Sequence, residues 1–189
     1  MKFLVGIADG HARALLPSFV IGACLLVSGC VHKIHVAPTP QESASATLPA
    51  SVQLDVPFLA IEGADHMPGI PLLEWPVKDL QQAILNYFSQ RGTFRAIGTE
   101  AAEMRLVVKA WLVLRAPDRY LYRVHLESTV SRSGHSPLKT YASDGEATGS
   151  SVRWLTTSDQ QPIEQATAQA LHQLASQIER DRELLLNAP

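Results

Sequence analysis

Two runs of alternating side chains, MRLVVKAWLVL (104–114) and YLYRVHLESTV (120–130), are separated only by RAPDR and constrain the fold more than any other part of the chain. Successive residues of a strand point to opposite faces. Leu106, Val108, Ala110, Leu112 and Leu114 therefore share one face, and Arg105, Lys109 and Trp111 the other. In the second run Tyr120, Tyr122, Val124, Leu126 and Val130 oppose Arg123, His125, Glu127 and Thr129. Two such runs joined by a short turn predict an antiparallel pair with one dry and one wet face. A lone hairpin is marginal in water, so the dry face needs further strands and a covering layer.

The flanking sequence supplies both. In VQLDVPFLAI, Val52, Leu54 and Val56 alternate with Gln53 and Asp55, which predicts a strand interrupted or ended at Pro57. Glu62 to Trp75 is broken by Gly63, Pro68, Gly69 and Pro71 and reads as a surface loop. In PVKDLQQAILNYFSQRG, Val77, Leu80, Ile84, Tyr87 and Phe88 recur at helical spacing, with Pro76 suited to the first turn and Gly92 to the C-cap. LKTYASDGEATGSS predicts a further strand, whose Gly145 and Gly149 allow a bulge or a close approach. After Pro162, Ile163, Ala166, Ala170, Leu171, Leu174 and Ile178 make the stripe of a second helix, with Glu179 to Glu183 as a solvated turn. The expected fold is α+β, a two-layer sandwich of about four mostly antiparallel strands with two helices on one face; the first strand is free to pair parallel with its neighbour.

The N-terminal region obeys different rules. Ala14 to Val31 carries no charge, but Pro17 and Gly22 lie inside it and its length is marginal for crossing a bilayer, which takes about 20 apolar residues. Lys2 and Arg13 before an apolar core and small residues after it fit a secretory signal. Val27-Ser28-Gly29-Cys30 has the form of a lipobox, an aliphatic residue, two small ones and a cysteine. The expected organisation is a lipoprotein signal peptide at 1–29, a lipidated Cys30 with a flexible Pro/Ser/Ala tether to residue 51, and a periplasmic domain at 52–189. Two acyl chains hold a protein stably where one is marginal. Val31 lacks the aspartate that retains enteric-type lipoproteins in the inner membrane, so the expected place is the periplasmic face of the outer membrane.

Cys24 and Cys30 are the only cysteines. Removal of residues 1–29 with lipidation of Cys30 leaves no thiol for a disulfide or a metal. It also leaves 14 basic against 17 acidic residues, a mild negative balance that argues against nucleic acid as a partner. No hydrolase, phosphate-loop or zinc-protease motif occurs, and no cofactor or metal is expected. His32 and His35 are read as solvated, as are Asp65 and His66. The nearest approach to a catalytic set is His125, Asp144 and Glu146, which strand pairing would bring together on the wet face, where surface charges are the ordinary outcome. Trp111 on that face, and Trp154 with Leu155 between the last strand and the last helix, are the candidates for partner or membrane contact. Trp75 is expected to anchor the start of the first helix.

The lipobox, the tether, LQQAILNYFSQRGTFRAI leading into AEMRLVVKAWLVL, and GEATGSS leading into PIEQATAQALHQLASQI resemble small envelope lipoproteins related to the N-terminal domain of the Tol translocation protein. Curli-secretion, Pel-export and lipid-transporter auxiliary lipoproteins are similar in layout, and the likeness spans residues 52–180. It implies a non-enzymatic accessory or scaffold in envelope export, transport or surface-structure assembly, docking export or transport proteins or identical subunits. The alternative is a carrier that binds lipid or another small ligand between helices and sheet. A hydrolase working through His125 is the third reading, with loss of activity in His125→Ala as its test.

Overall fold

The computed structural model describes residues 32–63, 73–115, 120–149 and 159–187. Its elements in chain order are β1 (His32–Lys33), β2 (Leu48–Gly63), β3 (Leu73–Glu74), α1 (Val77–Arg91), β4 (Phe94–Gly98), β5 (Met104–Arg115), β6 (Leu121–Arg132), β7 (Pro137–Thr148), α2 (Gln160–Arg180) and α3 (Arg182–Asn187). Five strands form one sheet in the order β4-β2-β5-β6-β7, and β1 pairs with β3 in a small parallel ribbon.

The α+β class holds, with five strands in the main sheet and, among the described residues, three helices, in place of about four strands and two helices. The sheet is mixed rather than mostly antiparallel. β2 is parallel to both its neighbours, β4 and β5, whereas β5-β6 and β6-β7 are antiparallel. The reason is topological: α1 carries the chain back along the sheet, so the strand after it must run the same way as β2. β4 escapes the alternation test because it is a five-residue edge strand in which Phe94 alone is buried.

The inner face matches the sequence pattern. Leu106, Val108, Ala110, Leu112 and Leu114 are buried with Tyr122, Val124, Leu126 and Val130. Leu80, Ile84, Tyr87 and Phe88 of α1 and all six apolar positions expected of α2 are buried with them, while Val77 is exposed. Gly92 caps α1 at φ +77°, donating its N–H to the Phe88 carbonyl, a conformation open to glycine at little cost. Trp75 is buried just ahead of α1, as expected.

The segment expected to be a free tether instead packs on the domain. β1 pairs with β3, and the Ile34 N–H continues the ribbon to the Glu74 carbonyl at 2.9 Å. Ile34, Val36 and Leu48 are buried. His35 meets Asp79 in the first turn of α1, and the Ala37 N–H reaches Glu164 in the second turn of α2. Further on, the Ala44 N–H donates to the Arg91 carbonyl at the far end of α1. Residues 34–48 thus form a strap that follows both helices from near their starts to their last turns before entering β2. Ile34, Val36 and Leu48 bury apolar surface along a Pro/Ser/Ala background, and composition alone hides them.

The edge of the sheet at β7 is closed by α2. The Oε1 atoms of Gln173 and Gln169 accept from the N–H groups of Asp144 and Glu146, and Gln177 donates to the Ala142 carbonyl. Glutamines four residues apart lie along one helix face, so they meet alternate residues of a neighbouring strand. Such close packing needs Gly145, where a Cβ would lie 1.9 Å from the Ala166 carbonyl oxygen. Gly145→Ala is expected to push α2 off the edge and lower stability by about 1–3 kcal/mol, read as a fall in the urea midpoint at unchanged slope.

Candidate functional site

No described element covers the face of the sheet opposite the helices. Up to Asp55, the odd-numbered residues of β2 point to this face: Gln53 lies beside Arg105 and Asp55 beside Val107. The register then shifts, and Phe58 lies beside Lys109 and Ala60 beside Trp111. One extra residue on β2 at Val56-Pro57 makes a bulge, which turns the even-numbered residues outward. Proline is tolerated there because the bulge does not need its missing N–H. Pro57 therefore re-aims the strand without ending it.

The bulge completes a row of aromatic rings on three strands that ends at a carboxylate on the fourth. The Phe58 and Trp111 rings are 5.3 Å apart between centroids, Trp111 and His125 are 5.5 Å apart, and His125 Nδ1 lies 2.9 Å from Asp144 Oδ1. Phe58 is 42% exposed, a larger fraction than any other Phe, Tyr or Trp among the described residues. Ion pairs flank the row: Arg105 with Asp55 at 2.6 Å, and Arg123 with Glu146. Lys109 and Glu127 stand opposite one another in register. The face is charge-balanced around an apolar strip, a composition that suits contact with a protein surface more than with a polyanion.

Strand pairing brings His125 and Asp144 together, as the sequence suggested, but takes Glu146 to Arg123 instead. Among the described residues Asp144 is the only hydrogen-bond partner of His125, and no hydroxyl is placed for the imidazole to activate. Trp111 occupies the predicted wet face, half-buried between Phe58 and His125. Cys30, Trp154, Leu155, Asp65 and His66 lie outside the described residues. Phe58 was missed because the alternation was followed only to Pro57; a proline inside a continuing apolar run was the available signal of a bulge.

On the helix side, Glu179 overturns the expectation of a solvated turn. It is buried and forms a paired contact with Arg91, Oε1 to Nε at 2.8 Å and Oε2 to Nη2 at 3.2 Å. Thr93 Oγ1 donates to Oε1 at 3.0 Å, and the Ser45 hydroxyl and N–H donate to Oε2 at 2.8 and 3.1 Å. Arg91 also donates to the Glu42 carbonyl. Burial pushes the carboxyl up, but the bonds from Arg91, Ser45 and Thr93 prevail and hold it below the usual carboxylate range. Beside this clamp a groove of about 600 Å³ opens between the strap and the helices, lined by Thr39, Glu42, Tyr87, Gln165, Gln169 and His172 among others.

Comparison with solved structures supports the fold. Protein XCC0632 from Xanthomonas campestris, of the family DUF330, matches with a TM-score of 0.50 at 14% identity, over 82% of this chain and 95% of its own. Protein CT253 from Chlamydia trachomatis matches at 0.45 and 11%, over 72% and 96%. At that identity the first likeness is one of fold alone. No family model matches the sequence, and no curated protein is significantly similar to it.

Glu179→Ala strands the Arg91 guanidinium in the interior and is expected to cost about 3–5 kcal/mol, whereas replacing both partners by leucine is expected to cost far less. Because the folded-state pKa of Glu179 lies below its unfolded value, its stabilisation is present above the ordinary carboxylate pKa and is lost as pH falls through the folded value. Acid titration of stability should therefore be shallower in Glu179→Gln than in the parent. On the open face, a double-mutant cycle of Phe58→Ala and Trp111→Ala is expected to give a coupling of about 0.5–1.5 kcal/mol, measured by chemical denaturation.

Proposed function

We propose that this chain is a lipoprotein, anchored through Cys30 at the periplasmic face of the outer membrane. Its domain serves without catalysis as an accessory or scaffold in envelope export, transport or surface-structure assembly. The observation that carries the reading is the uncovered aromatic row on the sheet. Phe58 and Trp111 are held at the surface by a bulge and a strand, and they sit in a frame of ion pairs that leaves no net charge to repel a protein partner. A rigid aromatic strip with a polar rim is the usual make-up of an interface centre. The lipobox at 27–30 supports the membrane location. Lipid fixes the domain, and the open face docks an export or transport protein or an identical subunit.

A carrier is the second reading, and the groove between strap and helices favours it, because about 600 Å³ is within the range of small-ligand sites. Its glutamines, Glu42 and His172 suit a ligand that hydrogen-bonds better than an acyl chain. Native mass spectrometry of the purified protein distinguishes the two: a bound mass lost in His172→Trp would favour the carrier.

The scaffold reading is tested in cells with a photo-crosslinking amino acid at Lys109, beside Phe58. A discrete adduct in the membrane fraction is expected, at least fivefold weaker in Phe58→Ala/Trp111→Ala and in Cys30→Ala. A crosslink of twice the chain mass would identify a second copy as the partner. No adduct from the open face in the properly folded protein would sink the reading.

A further inference from the structure

We infer that the end of the domain formed by β1, β3 and the first turns of α1 and α2 lies directly against lipid headgroups. The inference rests on the lipoprotein reading and adds to it which surface meets the membrane.

The first reason is the lack of slack. The acylated residue would be Cys30, and β1 begins at His32. Two Cα steps span at most about 7 Å. β1 is not free to peel away at no cost, since it pairs with β3, and the strap behind it is held by buried Ile34 and Val36 and by the bonds of His35 to Asp79 and Ala37 to Glu164. A tether of some twenty residues would have let the domain stand off; a single residue between the lipid and the fold does not.

The second reason is that many elements share this level. Gly63 of β2 pairs with Leu114 of β5, Arg115 with Leu121 of β6, and Leu121 with Thr148 of β7. The four strand ends therefore lie together, and the starts of both helices join them, α1 through the His35–Asp79 contact beside β1 and α2 through its N-cap Asp159, which accepts from the Tyr122 hydroxyl near the start of β6. At about 3.3 Å per residue, the twelve residues of β5 place the opposite end some 40 Å away. Among the described residues, charges at the near end are mixed: Lys33, Lys78 and Arg115 against Glu62, Glu74 and Asp79. Attachment rather than attraction to anionic lipid would hold this end down, so the contact should be insensitive to salt.

The test uses the acylated full-length product in phosphatidylethanolamine/phosphatidylglycerol vesicles carrying a headgroup-linked quencher. A fluorophore is placed on a thiol introduced as Glu74→Cys at the near end, or as Ser136→Cys in the β6–β7 turn at the far end. Quenching at residue 74 is expected to exceed that at residue 136 at least threefold, in low and in high salt. Inserting twenty Gly/Ser residues between Val31 and His32 should remove the difference. Equal quenching at the two sites, or a difference that survives the insertion, overturns the inference while acyl mass on Cys30 in the same sample leaves the lipoprotein reading standing. Absence of acyl mass overturns that reading, and the attachment with it.

Discussion

The Arg91–Glu179 pair is the interaction on which the helical layer depends. It joins the last turn of α1 to the last turn of α2, and through Ser45, Glu42 and Thr93 it takes in the strap and the turn into β4. A buried ion pair is seldom a net source of stability, since desolvation offsets most of the attraction. Its effect is geometric: with five donors on one side and a carboxylate on the other, few arrangements of the two helices satisfy every group. Ser45 is fixed by the same carboxylate, so the strap is in register before it reaches β2. Tyr122 secures the other end of α2, its hydroxyl donating to Asp159 in a buried bond that, with burial itself, raises the phenol well above its ordinary pKa.

What could be read from the chain follows from how local each signal is. The two alternating runs of β5 and β6 and the stripe of α2 encode their burial within a dozen residues, and nearly every inward position was legible. Glu179 was not, because a glutamate on a charged turn looks solvated until Arg91, 88 residues away, is known to face it. The strap failed for the opposite reason. Its Pro/Ser/Ala background is that of a disordered linker, and the alternation of Ile34, Val36 and Pro38 is too short a run to announce a buried face. At the candidate site Trp111 and the His125–Asp144 contact followed from strand parity, while Phe58 required knowing that a bulge inverts the parity after Pro57.

These features divide the domain into a functional side and a structural side. The helices, strap and clamp cover one face, and among the described residues nothing covers the aromatic row on the other. A surface held by a five-strand sheet loses little freedom when a partner docks, because its side chains are already ordered against one another. The groove beside the clamp gives the helical side room for a guest of its own.

The glutamine ladder along α2 has a consequence for how the protein fails. Gln169, Gln173 and Gln177 occupy the outward backbone groups of β7 one after another, so the helix acts as the missing sixth strand. Partial detachment of α2 would bare three of those groups together with the apolar stripe beneath, on a flat strand of twelve residues. The first species reached under mild stress would therefore be a sticky sheet edge rather than a loosened monomer, and clumping would precede global unfolding.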